Sequence, residues 1–148
     1  VQKRFTKSLS RNLDTKGRLM LPPEYRDVLF ANGEQGVFWL TCFYGRLVAY
    51  LPADWEVVIE QLSRIPIPSP RLSHFKTKLM GLAQELIPDI QGRVRIPQSL
   101  MREAVLRKDV MLVGMVNTFE IWDQQRFDDL RIEDVSQELV SAGVNIAL

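Results

Sequence analysis

Apolar and polar positions alternate in two short stretches of the chain. Leu19 and Leu21 alternate with Arg18 and Met20, and Val94 and Ile96 alternate with Arg93 and Arg95, the period of two expected of a half-buried strand. With the aliphatic side chains turned inward, Arg18, Arg93 and Arg95 face outward. Each stretch follows an Asp-x-x-Gly sequence, Asp14 to Gly17 and Asp89 to Gly92. Glycine adopts positive φ without steric penalty and aspartate accepts hydrogen bonds from backbone amides two residues on, so Asp14, Gly17, Asp89 and Gly92 are expected to form the structural turns. Pro22 and Pro97 then end the strands, because proline removes a ladder donor. Each can also open a helix, with apolar faces Tyr25, Val28, Leu29 and Leu100, Met101, Ala104, Val105.

The second stretch repeats the first. Asp14, Gly17, Arg18 and Pro22 return as Asp89, Gly92, Arg93 and Pro97, each 75 positions later in a chain of 148 residues. Downstream, Leu40-Thr41 and Val113-Gly114 each follow an apolar run. Leu47 to Tyr50 then matches Phe119 to Trp122, and Trp55 matches Phe127, now 72 positions apart. The three-residue slip is expected in loops, where length changes are best tolerated. Both units read as strand, tight loop, strand, Pro, short helix, strand, turn, strand and the start of a helix. Two copies are too few for a solenoid, and a closed pair is expected.

Between the units the period changes to helical. Trp55, Val58, Ile59, Leu62 and Ile65 form one apolar face, and the run Pro66 to Pro70 breaks it. Ser69 is placed to cap a second helix with Pro70 at its first position and an apolar face of Leu72, Phe75, Leu79 and Leu82. Its other face, Arg71, His74 and Lys78, is read as solvated. The organisation expected is a first unit over 1–52, a helical connector over 53–80, a second unit over 81–127 and an acidic tail over 128–148.

Composition narrows the class without naming a function. With 46% hydrophobic and 25% charged residues, the chain has an ordinary globular balance. No apolar run approaches the roughly 20 residues that span a bilayer, and nothing after Val1-Gln2-Lys3-Arg4 resembles a signal peptide, so a cytoplasmic protein is expected. One cysteine, Cys42, and one histidine, His74, exclude a disulfide framework and leave no zinc set. Cys42, among Trp39, Leu40 and Phe43, is assigned to the core, as are most of the aromatics. Charge is unevenly placed. Lys3, Arg4, Lys7, Arg11, Lys16 and Arg18 stand against Asp14 alone, whereas Glu120 to Glu138 holds seven acids against Arg126 and Arg131. Such a chain can grip a polyanion at one end, or its charges can simply be solvated.

A single Asp-x-x-Gly-Arg reads as a turn with a soluble arginine. Duplication adds a second guanidinium at a matched position, and arginine donates in bidentate fashion to O6 and N7 of guanine in duplex DNA. Arg18 and Arg93 are thus the candidate base readers, with Arg11, Lys16 and Arg95 as phosphate contacts. A different reading is an antitoxin-like protein-interaction module that holds a partner with its acidic tail and touches DNA secondarily. Asp14 and Asp89 have no nucleophile, metal cluster or phosphate-cradling loop near them, so no catalytic residue, metal or cofactor is assigned.

The same residues carry a family resemblance. Phe5, Leu13 to Arg18, Pro22, Tyr25-Arg26, Tyr50, Trp55-Glu56, Gly81, Asp89, Gly92-Arg93, Ile96-Pro97, Val113-Gly114 and Phe119 to Trp122 resemble the MraZ family of bacterial transcriptional regulators. The likeness runs from Phe5 to about Phe127. It implies an α+β fold in which two tandem βαββ-type AbrB-like units, similar to SpoVT/AbrB swapped hairpins, form a pseudo-twofold double-split β-barrel with connecting helices. It further implies a ring-like homo-oligomer associated with the nucleoid that binds double-stranded DNA at direct repeats in the promoter of the division and cell wall gene cluster. Its DNA-contacting arginines fall on Arg18 and Arg93, with Lys16 and Arg95 beside them. The chain departs from the family at Thr6-Lys7, where the family has Arg-Gly, and at Met101, where the family has arginine.

Overall fold

A computed structural model describes residues 4–146. Lys3 of the basic stretch and the last two residues of the acidic tail lie outside that range. The first unit runs β1 (Ser8–Asn12), β2 (Arg18–Met20), α1 (Pro23–Asn32), β3 (Phe38–Phe43) and β4 (Arg46–Tyr50). Helices α2 (Pro52–Ser63) and α3 (Pro70–Leu82) follow. The second unit repeats the series as β5 (Gln84–Leu86), β6 (Arg93–Arg95), α4 (Gln98–Glu103), β7 (Asp109–Gly114) and β8 (Thr118–Asp123), trailed by α5 (Gln124–Asp128) and α6 (Ser136–Ser141). The architecture is α+β, and its described strand pairs are antiparallel.

The pairing interleaves the two units. Six strands lie in the order β1-β7-β8-β4-β3-β5, and β2 pairs with β6 in a separate ribbon. The first strand of each unit therefore pairs with the third strand of the other, β1 on β7 and β5 on β3. Exchanging equivalent strands leaves the order unchanged when it is read from the opposite end. The six-stranded sheet keeps β1 and β5 as edges, so no closed barrel is found among the described residues.

The slip between units falls on a helix rather than on loops. Leu40 pairs with Ala49 and Leu112 with Ile121, so the offset is already 72 within the third and fourth strands. The shortening thus lies between the proline and the third strand, where α1 has 10 residues and α4 has 6. Val105 consequently leaves the apolar helix face assigned to it. It takes φ 53, stands 55% exposed, and hands its place to buried Leu106. The amide of Leu106 donates to the Met101 carbonyl at 2.9 Å and that of Val105 to the Arg102 carbonyl at 3.2 Å, the pair of bonds that closes a helix through a left-handed residue.

One core joins the units. Phe5, Tyr25, Phe38 and Phe119 are fully buried, and Phe119 meets the other three rings at centroid distances of 5.0 to 5.8 Å. Such contacts contribute about 0.5–1.5 kcal/mol each beyond area burial. The segment carrying Phe5 crosses β7 at Gly114, where a Cβ would stand 2.5 Å from the Phe5 carbonyl carbon. That approach requires glycine. Cys42 is buried, and burial pushes its thiol up from its ordinary value. A second cluster holds α2 and α3 against β3. Trp55 stacks on Trp39 at 5.4 Å, with Leu62 and Leu79 buried beside it, and the Thr41 hydroxyl donates to the Leu79 carbonyl at 2.7 Å. Ser69 caps α3 by accepting from the Leu72 amide, with Pro70 at the first position. Ile65 lies beyond the end of α2.

Candidate nucleic-acid interface

The two Asp-x-x-Gly-Arg sequences fold alike, bond for bond. Asp14 Oδ1 accepts from the amides of Lys16 at 2.9 Å and Arg18 at 2.8 Å, and Asp14 Oδ2 accepts from Arg18 Nε at 2.6 Å. Asp89 repeats this with the amides of Gln91 and Arg93, both at 2.9 Å, and with Arg93 Nε at 3.0 Å. Gly17 has φ 75 and Gly92 has φ 82, the left-handed conformation that glycine accommodates without a Cβ penalty. Bonds from the arginine amide and its neighbours stabilise the ionised aspartates. Asp14 is held down to about 2 against an ordinary 3.8, the amide of Arg18 being the largest cause, and Asp89 is lowered likewise by the amide of Arg93.

Each turn is completed by the other unit. The Leu21 amide donates to the Gly92 carbonyl at 3.0 Å, and the Ile96 amide to the Gly17 carbonyl at 2.9 Å. A Cβ on Gly92 would meet the Arg26 side chain, and one on Gly17 would sit 3.3 Å from Met101 Sδ. Arg26 and Met101 are 75 positions apart, so Met101 fills the place that arginine takes in the first unit. The crossed packing of these two side chains was not legible in the sequence, although the offset of 75 pairs them. Among the described residues Arg26 Nε is buried without a hydrogen-bond partner.

The ribbon sets where the arginines point. Arg18 pairs with Arg95, Leu19 with Val94 and Met20 with Arg93. Leu19 and Val94 are buried at its centre, so side-chain alternation puts Arg18, Met20, Arg93 and Arg95 together on the opposite, solvent-facing side. Arg18 and Arg93 thus share one face of one ribbon. Their side chains keep 29% exposure each, and each aspartate occupies only the Nε edge. Among the described residues no hydrogen bond engages the η nitrogens of either guanidinium.

The other candidates differ in freedom. Arg95 is exposed on the same face, and Lys16 is exposed at the tip of its turn. Arg11 lies against the ribbon, its Nε donating to the Met20 carbonyl at 3.3 Å and its Nη1 to the Ser10 carbonyl at 3.0 Å, which leaves it only partly available to a ligand. Among the described residues no group of three or more His, Cys, Asp or Glu could hold a metal ion, and no helix is long and apolar enough to cross a membrane.

A family model described as "MraZ protein, putative antitoxin-like" matches residues 5–76 and 79–142, one match to each unit. The chain belongs to the MraZ family. It is 44% identical over 138 residues to the transcriptional regulator MraZ of Nitratidesulfovibrio vulgaris strain Hildenborough, covering 91% of this chain and 93% of that one. The transcriptional regulator MraZ of Maridesulfovibrio salexigens is 39% identical over 146 residues, 97% of this chain and 98% of its own. That of Pectobacterium atrosepticum is 37% identical over 136 residues, 88% and 90% of the two chains. These MraZ relatives are named as regulators of transcription.

Proposed function

We propose that this MraZ-family chain is a sequence-specific DNA-binding transcriptional regulator in which the β2/β6 ribbon enters the major groove and Arg18 and Arg93 read guanines. The observation that carries the reading is the register of that ribbon, which gathers Arg18, Arg93 and Arg95 on one exposed face. A two-stranded ribbon fits the major groove of B-DNA. Diagonal neighbours across a strand pair lie about 7–8 Å apart, which matches two base steps of about 3.4 Å. With its Nε edge held by aspartate, each guanidinium can meet O6 and N7 through its two η nitrogens. Lys16 and Arg95 then contact phosphate, and Arg11 adds a weaker contact.

The target in this reading is the set of direct repeats upstream of the division and cell wall gene cluster. The units act as a pseudo-twofold double-split barrel over 1–52 and 81–127, joined by the connector 53–80. A ring-like homo-oligomer places several ribbons on successive repeats and gains avidity. Such a protein works in the cytoplasm, on the nucleoid. Binding to the DNA upstream of the chain's own gene tests this. Arg18→Ala and Arg93→Ala are each expected to weaken binding by about 1–3 kcal/mol and relax base preference, while Lys16→Ala lowers the salt slope by about one. Equal binding to scrambled repeats, or arginine variants that bind like the parent, would refute the reading. The acidic tail, exposed along nearly its whole described length, favours the second reading of a protein-interaction module, which gains if repeat-dependent binding is absent.

A further inference from the structure

The two turns that open the ribbon strands match in backbone but not at their tips. Thr15 and Lys16 lie between Asp14 and Gly17, and Ile90 and Gln91 between Asp89 and Gly92. The amides of Gln91 and Arg93 converge on one oxygen, Asp89 Oδ1, at 2.9 Å each, which ties the second tip to the arginine it precedes. The side chains of that tip are left to solvent. Ile90 is fully exposed and Gln91 is exposed. Among the described residues the backbone amide of Gln91 is bonded and no hydrogen bond engages its carboxamide.

The pairing places these tips. The Leu21 amide donates to the Gly92 carbonyl and the Ile96 amide to the Gly17 carbonyl, so the turns close opposite ends of the ribbon. Gln91 stands beyond Arg93 at one end and Lys16 beyond Arg18 at the other. Two residues of extended chain span about 7 Å, or about two base steps of 3.4 Å, and a turn spans less. With Arg93 on a guanine, Gln91 therefore reaches the base pair one or two steps farther out.

We infer that Gln91 is a further specificity-determining residue, which with Ile90 beside it reads an A·T pair outside the guanine of Arg93. The inference rests on the DNA reading proposed above and extends it beyond the arginines. A glutamine carboxamide donates from Nε2 to N7 of adenine and accepts at Oε1 from the N6 amino group, a bidentate match in the major groove. The C5 methyl of the paired thymine projects into the same groove, where apolar side chains meet it, and Ile90 supplies that surface. Lys16 has donors and no acceptor. It cannot accept from the adenine amino group, which leaves it a phosphate contact. Each bound chain thus selects an A·T pair on the Arg93 flank and none on the Arg18 flank.

The test uses the full-length chain and short duplexes carrying one repeat from the DNA upstream of its own gene. The pairs flanking the guanines are randomised and the bound fraction is sequenced. The parent is expected to prefer A·T by about five- to 100-fold on one flank only. Gln91→Ala is expected to abolish that preference and keep the guanines, which also shows that the variant is folded. In a fixed duplex, 7-deazaadenine at the selected position lacks the N7 acceptor. It is expected to weaken binding of the parent and leave that of Gln91→Ala unchanged. Uracil in place of the paired thymine lacks the methyl group and is expected to weaken the parent but not Ile90→Ala; a uracil that costs the parent nothing strikes out the role of Ile90 alone. A flank preference that survives Gln91→Ala, or a parent that binds 7-deazaadenine as well as adenine, traces the preference to duplex shape. Either result, or a parent with no preference on either flank, would overturn the inference while guanine reading stands. A parent with no preference for the guanines themselves would remove both.

Discussion

At Gly17 and Gly92 two demands coincide, a left-handed backbone and a neighbour from the opposite unit pressed against the position where a Cβ would stand. A left-handed residue other than glycine costs about 1–2 kcal/mol, so Gly17→Ala and Gly92→Ala are each expected to lower stability by about that amount, read as a shift in urea midpoint. The aspartates of the same turns give a prediction in pH. Asp14 titrates near 2 in the folded chain against an ordinary 3.8. A carboxyl lowered by folding contributes stability that is fully present above its unfolded value and is lost as pH falls through the folded one. The first turn is therefore expected to stay closed at pH 5 and to open between about 4 and 2. The amide shifts of Lys16 and Arg18 should follow that midpoint, and Asp14→Asn should abolish it.

At the scale of elements, the alternating pattern around Leu19 and Val94 was enough to find both ribbon strands, and Ser69-Pro70 was enough to place the start of α3. Asp-x-x-Gly located the turns because few residue types satisfy that geometry. The end of α4 was not legible, because an apolar residue at Val105 fits a continuing helix as well as a terminated one and no glycine marks the stop. Val105 sits in the left-handed position that glycine ordinarily fills, is β-branched, and has little burial to lose. Val105→Gly is thus expected to stabilise the protein by about 1 kcal/mol, seen as a higher melting temperature. The restraint on Arg11 was equally hidden, since its partners are the carbonyls of Ser10 and Met20, and a carbonyl leaves no trace in residue type.

For the molecule as a whole, periodicity showed which face of each strand is buried and was silent about which strand lies alongside. The crossed arrangement of β1 on β7 and β5 on β3 makes each unit incomplete without the other. A fragment ending at residue 80 lacks the partners of β1 and β2 and one of the two partners of each of β3 and β4. It is expected to lose cooperative thermal unfolding by circular dichroism, and mixing it with the complementary fragment should restore it. Fusing two interdependent halves also frees them to diverge. Lys16 stands where the second half has Gln91, Met20 where it has Arg95, and Arg26 where it has Met101. A self-paired single unit presents the same chemistry in both directions and suits a palindrome. Two unlike halves locked in one chain give the ribbon a left and a right, so a site bound as proposed would acquire polarity, and successive copies reading in one sense would call for operators arrayed in tandem.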